Sequence, residues 1–127
     1  MKSEINKKIR ILHVDDEQDT LVVVKTILEK EGYEVVSVTR GKKALEDVML
    51  DGFGLIIIDV MMPDMSGWEL FTRIAQVKPD YKIIFLSILE LSPEKKKELF
   101  ASGIKDCIGK PFDRADFVKR VKQVINN

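Results

Sequence analysis

The sequence predicts a single α/β domain with a parallel sheet covered by helices on both faces. Three observations predict it: five short apolar runs along the chain, helical patterns between them, and a length of 127 residues, which fits one domain. Strands that alternate with helices are joined by right-handed crossovers, and these make the strands parallel. Hydrophobic residues make up 45% of the chain and charged residues 33%, a balance typical of a globular protein.

The five apolar runs are the predicted strands. The first four are rich in Ile, Val, Leu, Phe and Tyr, which favour strands, whereas the fifth is weak by composition and is assigned mainly because it completes the alternation. Near-continuous apolar character in the third and fourth runs is typical of strands buried on both faces. The predicted strands are Ile9–Val14, Tyr33–Val38, Leu55–Ile58, Tyr81–Leu86 and Asp106–Ile108.

The segments between and after these runs are the predicted helices. Ser92 and Pro93 are typical of a helix start, and Gly103 can end that helix ten residues later. Ser66 and Glu69 match a capping box. The other apolar stripes at helical spacing are Leu21, Val24, Ile27 and Leu28; Ala44, Leu45, Val48 and Met49; Leu70, Phe71, Ile74 and Val77; and Phe117, Val118, Val121, Val124 and Ile125.

Charge and composition set expectations about location and partners. Lys plus Arg and Asp plus Glu both number 21, and this balance argues against broad binding to nucleic acid or anionic membranes. The single cysteine, Cys107, cannot form an internal disulfide. No apolar run approaches the length of a membrane span or of a signal-peptide core. We therefore expect a cytoplasmic protein with a polar extension at residues 1–8 and one domain over residues 9–127.

Polar residues fall where the predicted strands stop. Asp15 and Asp16 follow the first strand, Asp59 the third and Ser87 the fourth, and the fifth leads through a glycine into Lys110. In an open parallel sheet, ligands bind beyond the carboxyl ends of the strands. Three carboxylates, a hydroxyl and an ammonium are therefore expected to converge on one edge.

Such a group of side chains has a definite chemistry. Three crowded carboxylates need a cation, and oxygen ligation favours Mg²⁺, Mn²⁺ or Ca²⁺ over zinc. Mg²⁺ is usually held by one or two carboxylates with water and phosphate oxygens, which leaves one carboxylate able to attack a phosphoryl group. A lysine and a hydroxyl would then hold the remaining phosphoryl oxygens.

Each residue also has a simpler structural interpretation. Taken alone, Asp15 and Asp16 fit helix caps, Lys110 fits an ordinary loop lysine, and Ser87 fits a strand-end hydroxyl bonded to backbone. Asp59 is harder to explain in this way because it ends a four-residue apolar run. The joint placement at four strand ends favours a shared site.

The same residues resemble the receiver domain of bacterial-type response regulators. The matching segments are Leu12–Glu17, Asp59–Gly67, Ser87 and Lys110–Phe112, and together they span nearly the whole chain in the order of that family. The resemblance implies a three-layer flavodoxin-like (βα)5 domain whose five-stranded parallel sheet has the order 2-1-3-4-5.

The resemblance implies a metal site and a phosphoacceptor. Asp59 would accept the phosphoryl group. Asp16 and Asp59 would bind Mg²⁺ directly, with the backbone carbonyl of Met61, and Asp15 would act through water. Ser87 and Lys110 would bind phosphoryl oxygens, the lysine preceding a proline whose peptide bond is usually cis.

The resemblance also implies partners. The phosphoryl donor would be a phosphohistidine on a sensor histidine kinase or a histidine phosphotransfer protein. Phosphorylation would change the surface formed by the fourth helix, the fifth strand and the fifth helix, which controls a downstream protein or output. The chain would promote its own phosphorylation and dephosphorylation without being a turnover enzyme. It would be a monomer or a weak dimer through that surface, without direct contact to nucleic acid or membrane.

Four positions depart from the family pattern. Ile88 stands where the family has Ala or another small residue, and we expect it to slow access to the acceptor. Cys107 stands where Tyr or Phe is common, so an aromatic rotamer cannot couple the switch. Met61 and Leu89 are apolar and cannot orient water, which predicts a long-lived phosphorylated state. Apart from these four departures, His13 lies inside the first strand and is expected to be a core histidine.

Two other interpretations remain open. A pseudo-receiver would share the fold and act as an interaction module without phosphorylation. An aspartate-nucleophile phosphatase usually has a second Asp two residues after the nucleophile, where this chain has Met61. Nucleotide and flavin binding are disfavoured because the chain has no Gly-Lys-Ser/Thr phosphate loop and carries two acidic residues after its first strand.

Overall fold

The computed structural model describes residues 8–127 and contains a five-stranded parallel sheet. Its order is β2-β1-β3-β4-β5, as predicted. The extension predicted at residues 1–8 lies, apart from residue 8, outside the described residues, so the domain boundary stays a prediction. The strands are β1 (Arg10–Val14), β2 (Glu34–Val38), β3 (Phe53–Asp59), β4 (Ile83–Ser87) and β5 (Asp106–Gly109).

One helix follows each strand, and these helices cover both faces of the sheet. They are α1 (Gln18–Lys30), α2 (Gly41–Met49), α3 (Gly67–Val77), α4 (Pro93–Ala101) and α5 (Arg114–Asn126). Within residues 8–127, no helix combines the length and the apolar character needed to cross a bilayer. The predicted three-layer, flavodoxin-like α/β fold is confirmed.

The core has two halves, one on each side of the sheet. In β3, Ile56 and Ile58 point into one half and Leu55 and Ile57 into the other, and all four are fully buried. This explains why the strand is apolar at consecutive positions. The helices complete the first half with Ala44, Val48, Leu70, Phe71, Ile74 and Leu99, and the second with Val24, Ile27, Leu28, Phe117 and Val121.

The predicted bounds of β3 and β4 need correction. β3 begins at Phe53 and includes Asp59, and β4 begins at Ile83 and includes Ser87. Tyr81, predicted to start β4, belongs to the turn after α3, where its hydroxyl donates to Asp51 Oδ1 at 3.1 Å. Because Asp59 pairs with Leu86 across the sheet, its backbone position is set by strand pairing.

Helix α4 begins and ends as predicted. Ser92 Oγ accepts a hydrogen bond from the Lys95 N–H at 3.1 Å, with Pro93 at the first helical position. At the other end Gly103 adopts a φ of 112°, which favours glycine, and the Ile104 N–H donates to the Leu99 carbonyl. Leu99 is the one buried residue within α4, so this helix is lightly anchored.

Only one of the two hydrogen bonds of the capping box predicted for α3 is formed. Ser66 Oγ accepts a hydrogen bond from the Glu69 N–H at 3.0 Å. The Glu69 carboxylate pairs with Arg73 at 2.7 Å, one turn further along the helix, instead of returning to the Ser66 backbone.

Candidate functional site

Three carboxylates meet at the carboxyl edge of the sheet. Asp15 and Asp16 follow β1, and Asp59 ends β3, the adjacent strand. One oxygen of each lies within 4.8 Å of the others. Asp15 and Asp59 are buried, whereas Asp16 is exposed. The cluster is therefore open to solvent on one side and enclosed on the other.

Lys110 adds a buried positive charge to this cluster. It follows β5, precedes Pro111 through a cis peptide bond, and donates its backbone N–H to the Ser87 carbonyl at 2.8 Å. Its Nζ lies 2.9 Å from Asp15 Oδ2 and 3.6 Å from Asp59 Oδ1. The lysine side chain is 8% exposed, so water screens these contacts weakly.

The two buried carboxylates have opposite pKa shifts. Burial, followed by the negative charge of Asp15, raises the pKa of Asp59 to about 7. Burial also penalises the Asp15 carboxylate, but the neighbouring His13, the Glu17 N–H and the Lys110 ammonium outweigh it and lower the pKa of Asp15 to about 2. Negative charge is thus accommodated at Asp15 and is in excess at Asp59.

The acidic cluster has the dimensions of a magnesium site. Mg²⁺ binds oxygens at about 2.1 Å in an octahedron, so its ligand oxygens are about 3 to 4.2 Å apart. Carboxylate oxygens within 4.8 Å of one another reach these separations with small side-chain adjustments. The excess charge that raises the pKa of Asp59 is also what a divalent cation would neutralise. The residues fit Mg²⁺ by donor type, spacing and charge.

Met61, the predicted backbone ligand, lies two residues after Asp59. Its N–H donates to Asp59 Oδ1 over a long 3.4 Å, and its side chain is exposed. The loop that carries it is anchored at both ends. Asp64 accepts hydrogen bonds from the backbone N–H groups of Gly41 and Lys42, each at 3.1 Å, and so caps α2.

Gly67 closes the other end of that loop by close backbone packing. A Cβ atom at this position would lie 2.6 Å from the Asp59 carbonyl oxygen and 2.8 Å from the Val60 Cα, so a side chain cannot be placed there without moving the loop. The Gly67 N–H donates to the Val60 carbonyl at 2.8 Å. The roles of Asp64 and Gly67 were not predicted from the sequence, although both residues lie in the family-matching segment Asp59–Gly67.

Ser87 does not turn its hydroxyl to a carboxylate of the cluster. Its Oγ donates to the Leu89 carbonyl at 3.1 Å and accepts from the Leu89 N–H at 2.9 Å. The side chains of Ile88 and Leu89 that follow are exposed, by 66% and 50% of their residue surfaces. The Ser87 hydroxyl therefore hydrogen-bonds within its own loop, and loss of these bonds would allow the loop to move.

A cavity of about 300 Å³ lies between this loop and β5. Its lining includes Ser87, Leu91, Cys107, Ile108 and Lys110. Cys107 is buried, and burial raises the pKa of its thiol, so the residue packs as a small apolar side chain.

Glu17 is a further member of the site that sequence reasoning passed over. Its Oε1 lies 3.3 Å from Lys110 Nζ, and its N–H donates to Asp15 Oδ1 at 3.0 Å. Glu17 also occupies the N-cap position of α1, without a side-chain cap. Asp15 and Asp16 are therefore not the cap of α1, and the simpler interpretation of these two residues is wrong.

Comparisons with known proteins identify the family. Residues 11–122 match the response regulator receiver domain. The response regulator SaeR of Staphylococcus aureus is 29% identical over 117 residues, which cover 91% of this chain and 50% of that protein. The chain thus spans about half the length of the curated relatives it matches.

Solved structures show the same architecture. A CheY-like receiver domain protein from Methanospirillum hungatei has a TM-score of 0.86 and 31% identity, covering 94% of this chain and 95% of its own. The response regulator TrrA from Thermotoga maritima, solved in complex with Mg²⁺-BeF, has a TM-score of 0.80 and 31% identity over 91% of this chain and 98% of its own. The chain described here belongs to the response regulator receiver domain family of two-component signalling.

Proposed function

We propose that this domain accepts a phosphoryl group on Asp59, with Mg²⁺, from a phosphohistidine on a sensor histidine kinase or histidine phosphotransfer protein. The observation that carries the proposal is the convergence of three carboxylates within 4.8 Å, with a buried lysine 3.6 Å from Asp59. Family membership supports the same chemistry, because the acidic positions fall in the matched region. Asp16 and Asp59, with the Met61 carbonyl, are the proposed direct ligands, and Asp15 is proposed to act through water.

The proposed transfer is a displacement at phosphorus. An ionised Asp59 oxygen attacks the phosphorus atom, the bond to the histidine nitrogen breaks, and that nitrogen keeps the electron pair and takes up a proton. Mg²⁺, when bound, would neutralise the carboxylates and the transferred oxygens. The ammonium of Lys110 is within a small movement of Asp59 and can bind a phosphoryl oxygen there. The product is an acyl phosphate on Asp59.

The proposed response begins at Ser87. To donate to a phosphoryl oxygen, its hydroxyl must give up its bond to the Leu89 carbonyl, and turning towards Asp59 would also break the bond that it accepts from the Leu89 N–H. The loop then becomes free to move, and α4, whose one buried residue is Leu99, follows it. The adjoining cavity beside Cys107 provides space for this movement without an aromatic rotamer.

The proposed output is a protein contact through α4, β5 and α5, by a monomer or weak dimer. Asp106 and Arg120 on this surface form a bidentate ion pair within the chain. Arg120 Nη2 donates to Asp106 Oδ1 at 2.6 Å, and Arg120 Nε donates to Asp106 Oδ2 at 2.8 Å. Arg120 also donates to the Cys107 carbonyl. Because both charges are satisfied in one copy, they do not require a second copy.

The test is intact-mass measurement after incubation with a small acyl-phosphate donor and Mg²⁺. Wild type should gain one phosphoryl group, and Asp59→Asn should gain none. A matched control, Asp80→Asn at an exposed position in the turn after α3, should behave as wild type. Absence of the adduct in wild type, at donor and Mg²⁺ concentrations that modify another receiver domain, would contradict the proposal and favour a pseudo-receiver.

A further inference from the structure

His13 is the chain's only histidine and lies fully buried in β1. Side chains alternate along the strand, so His13 shares with Ile11 the sheet face that is covered by α1 and α5. Asp15, two residues later, turns to the same side. His13 Nε2 lies 3.6 Å from Asp15 Oδ2, slightly beyond hydrogen-bond length, and both side chains are fully buried.

The protonation state of this pair follows from burial. His13 is shielded from water, which favours the neutral imidazole with a single N–H. Asp15 Oδ2 accepts a hydrogen bond from Lys110 Nζ at 2.9 Å, so it faces His13 as an acceptor. Since an unprotonated Nε2 would face the carboxylate with a lone pair, the proton belongs on Nε2.

The other ring nitrogen then needs a donor. Among residues 8–127, three neighbouring atoms are buried without a hydrogen-bond partner: His13 Nδ1, Ser37 Oγ, and His13 Nε2, which lies 3.6 Å from Asp15 Oδ2. His13 pairs in register with Ser37 on β2, which places the two side chains next to each other on one face. Two neighbouring buried polar groups, each without a partner, complement one another, because the hydroxyl can donate and Nδ1 can accept.

We propose that His13 is a positioning residue for Asp15. Its Nε2–H supports Asp15 Oδ2 from the core side, while Lys110 contacts the same oxygen at 2.9 Å from the other side. The Ser37 hydroxyl, turned towards the ring, would donate to Nδ1 and hold the ring in this orientation. Asp15 is thereby held ready to bind a metal-bound water, and its support from the core is independent of Lys110.

The inference rests on the proposed metal site, and it is specific to this chain's His13. Lys110 would leave Asp15 for the phosphoryl group during transfer. The His13 contact would then still hold the Asp15 carboxylate in place. Partners of this kind around metal ligands typically change metal affinity by 10- to 100-fold when removed, roughly. Because Asp15 is proposed to act through water, we expect an effect near the lower end.

The first test is ¹⁵N NMR of the imidazole, with a single histidine giving an unambiguous signal. At pH 7 the spectrum should show the neutral Nε2–H tautomer, and saturating Mg²⁺ should shift the Nε2 resonance more than that of Nδ1. An Nδ1–H tautomer, or resonances unmoved by Mg²⁺ that demonstrably binds, would overturn the inference. This readout needs no variant and no phosphorylation.

The second test compares His13→Leu with His13→Gln in Mg²⁺ titrations. Binding is followed by calorimetry and by the fluorescence of Trp68, the chain's single tryptophan, which lies partly exposed in the first turn of α3. Leucine removes the donor, and Mg²⁺ affinity should fall by about 10-fold. Glutamine keeps an N–H and should restore most of it. Thermal unfolding of both variants checks that they fold, because leucine leaves Asp15 Oδ2 and Ser37 Oγ without the imidazole.

The outcomes separate the two proposals. Equal Mg²⁺ affinity in wild type, His13→Leu and His13→Gln would overturn the role of His13 and leave the metal site standing. If His13→Leu does not fold, the tautomer and the His13→Gln titration decide. Failure of wild type itself to bind Mg²⁺ would overturn the metal site, and with it this inference.

Discussion

Lys110 Nζ lies 2.9 Å from Asp15 Oδ2 but 3.6 Å from Asp59 Oδ1, so the lysine is paired more closely with its neighbour than with the proposed acceptor. Glu17 adds a third carboxylate at 3.3 Å. Before phosphorylation, two acidic side chains therefore compete with Asp59 for one ammonium. The strength of the contacts that Lys110 makes with Asp15 and Glu17 therefore affects how readily it reaches the phosphoryl group.

Removing the Glu17 charge should speed phosphorylation. Glu17→Gln weakens the competing contact, and we expect the rate with a small acyl-phosphate donor to rise by about 2- to 5-fold, equivalent to the up to about 1 kcal/mol of a partly exposed ion pair. Asp19→Asn, which removes the same charge from the first turn of α1, is the matched control. A similar acceleration in both variants would show a general charge effect and contradict the specific role of Glu17.

Shortening Ile88 should widen access to Asp59. Its branched side chain is 66% exposed and lines a groove with Glu17, Lys110 and Phe112. Ile88→Ala should accelerate phosphorylation by a small donor several-fold, measured by intact mass against time. Leu50→Ala, a change at another exposed apolar position just after α2, should leave the rate unchanged. An unaltered rate in Ile88→Ala would contradict the expected obstruction.

The apolar pair Met61 and Leu89 should prolong the phosphorylated state. Both side chains are about half exposed, and neither can hydrogen-bond a water for in-line attack. We expect Met61→Asn and Leu89→Gln each to shorten the lifetime of the phosphoaspartate, with a larger effect together. The decay of the phosphorylated mass after donor removal measures this. A wild-type half-life of seconds would count against the prediction.

Removing the Ser87 hydroxyl should separate phosphorylation from the loop rearrangement. Ser87→Ala should still gain the phosphoryl group, because Asp59 and Lys110 are intact. In wild type, phosphorylation should speed hydrogen exchange at the Leu89 amide as its bond to Ser87 Oγ breaks. In Ser87→Ala this amide should exchange rapidly before and after phosphorylation. Ser102→Ala, at the end of α4, is the control, since its hydroxyl bonds only the Glu98 carbonyl in that turn.

Neutralising Asp59 should stabilise the metal-free fold. Its pKa is raised to about 7, so between pH 4 and pH 7 the native carboxyl holds a proton that the unfolded chain has released, and stability falls as pH rises through this window. In Mg²⁺-free buffer Asp59→Asn should gain on the order of 2 kcal/mol at pH 7, with each pKa unit worth about 1.4 kcal/mol. The gain should vanish near pH 4. Urea unfolding at several pH values checks this, and a pH-independent difference would contradict it.

A simple physical constraint made the fold and the membership of the site predictable from sequence. Strands of a parallel sheet covered on both faces must be apolar throughout, so Leu55–Ile58 stood out, and the polar residues at strand ends stood out against it. Parallel strands end at one edge, so the convergence of Asp15, Asp59 and Lys110 followed from the fold class alone. The fifth strand, β5, was also predicted correctly, because the alternation of strands and helices required a strand there although its composition favours one only weakly.

The partners of each polar side chain depended on the tertiary structure, because they come from distant segments at distances that local pattern does not encode. Lys110 and Asp15 are 95 residues apart, yet only the folded chain shows that Lys110 approaches Asp15 more closely than Asp59. Likewise, the sequence marked His13 as a core residue, but its proximity to Asp15 and to the unpartnered Ser37 appears only when β1 and β2 are paired in register. A strand can be predicted from the apolar side chains of a few neighbouring residues. An ion pair or hydrogen bond depends on the distance between side chains that only the folded chain brings together.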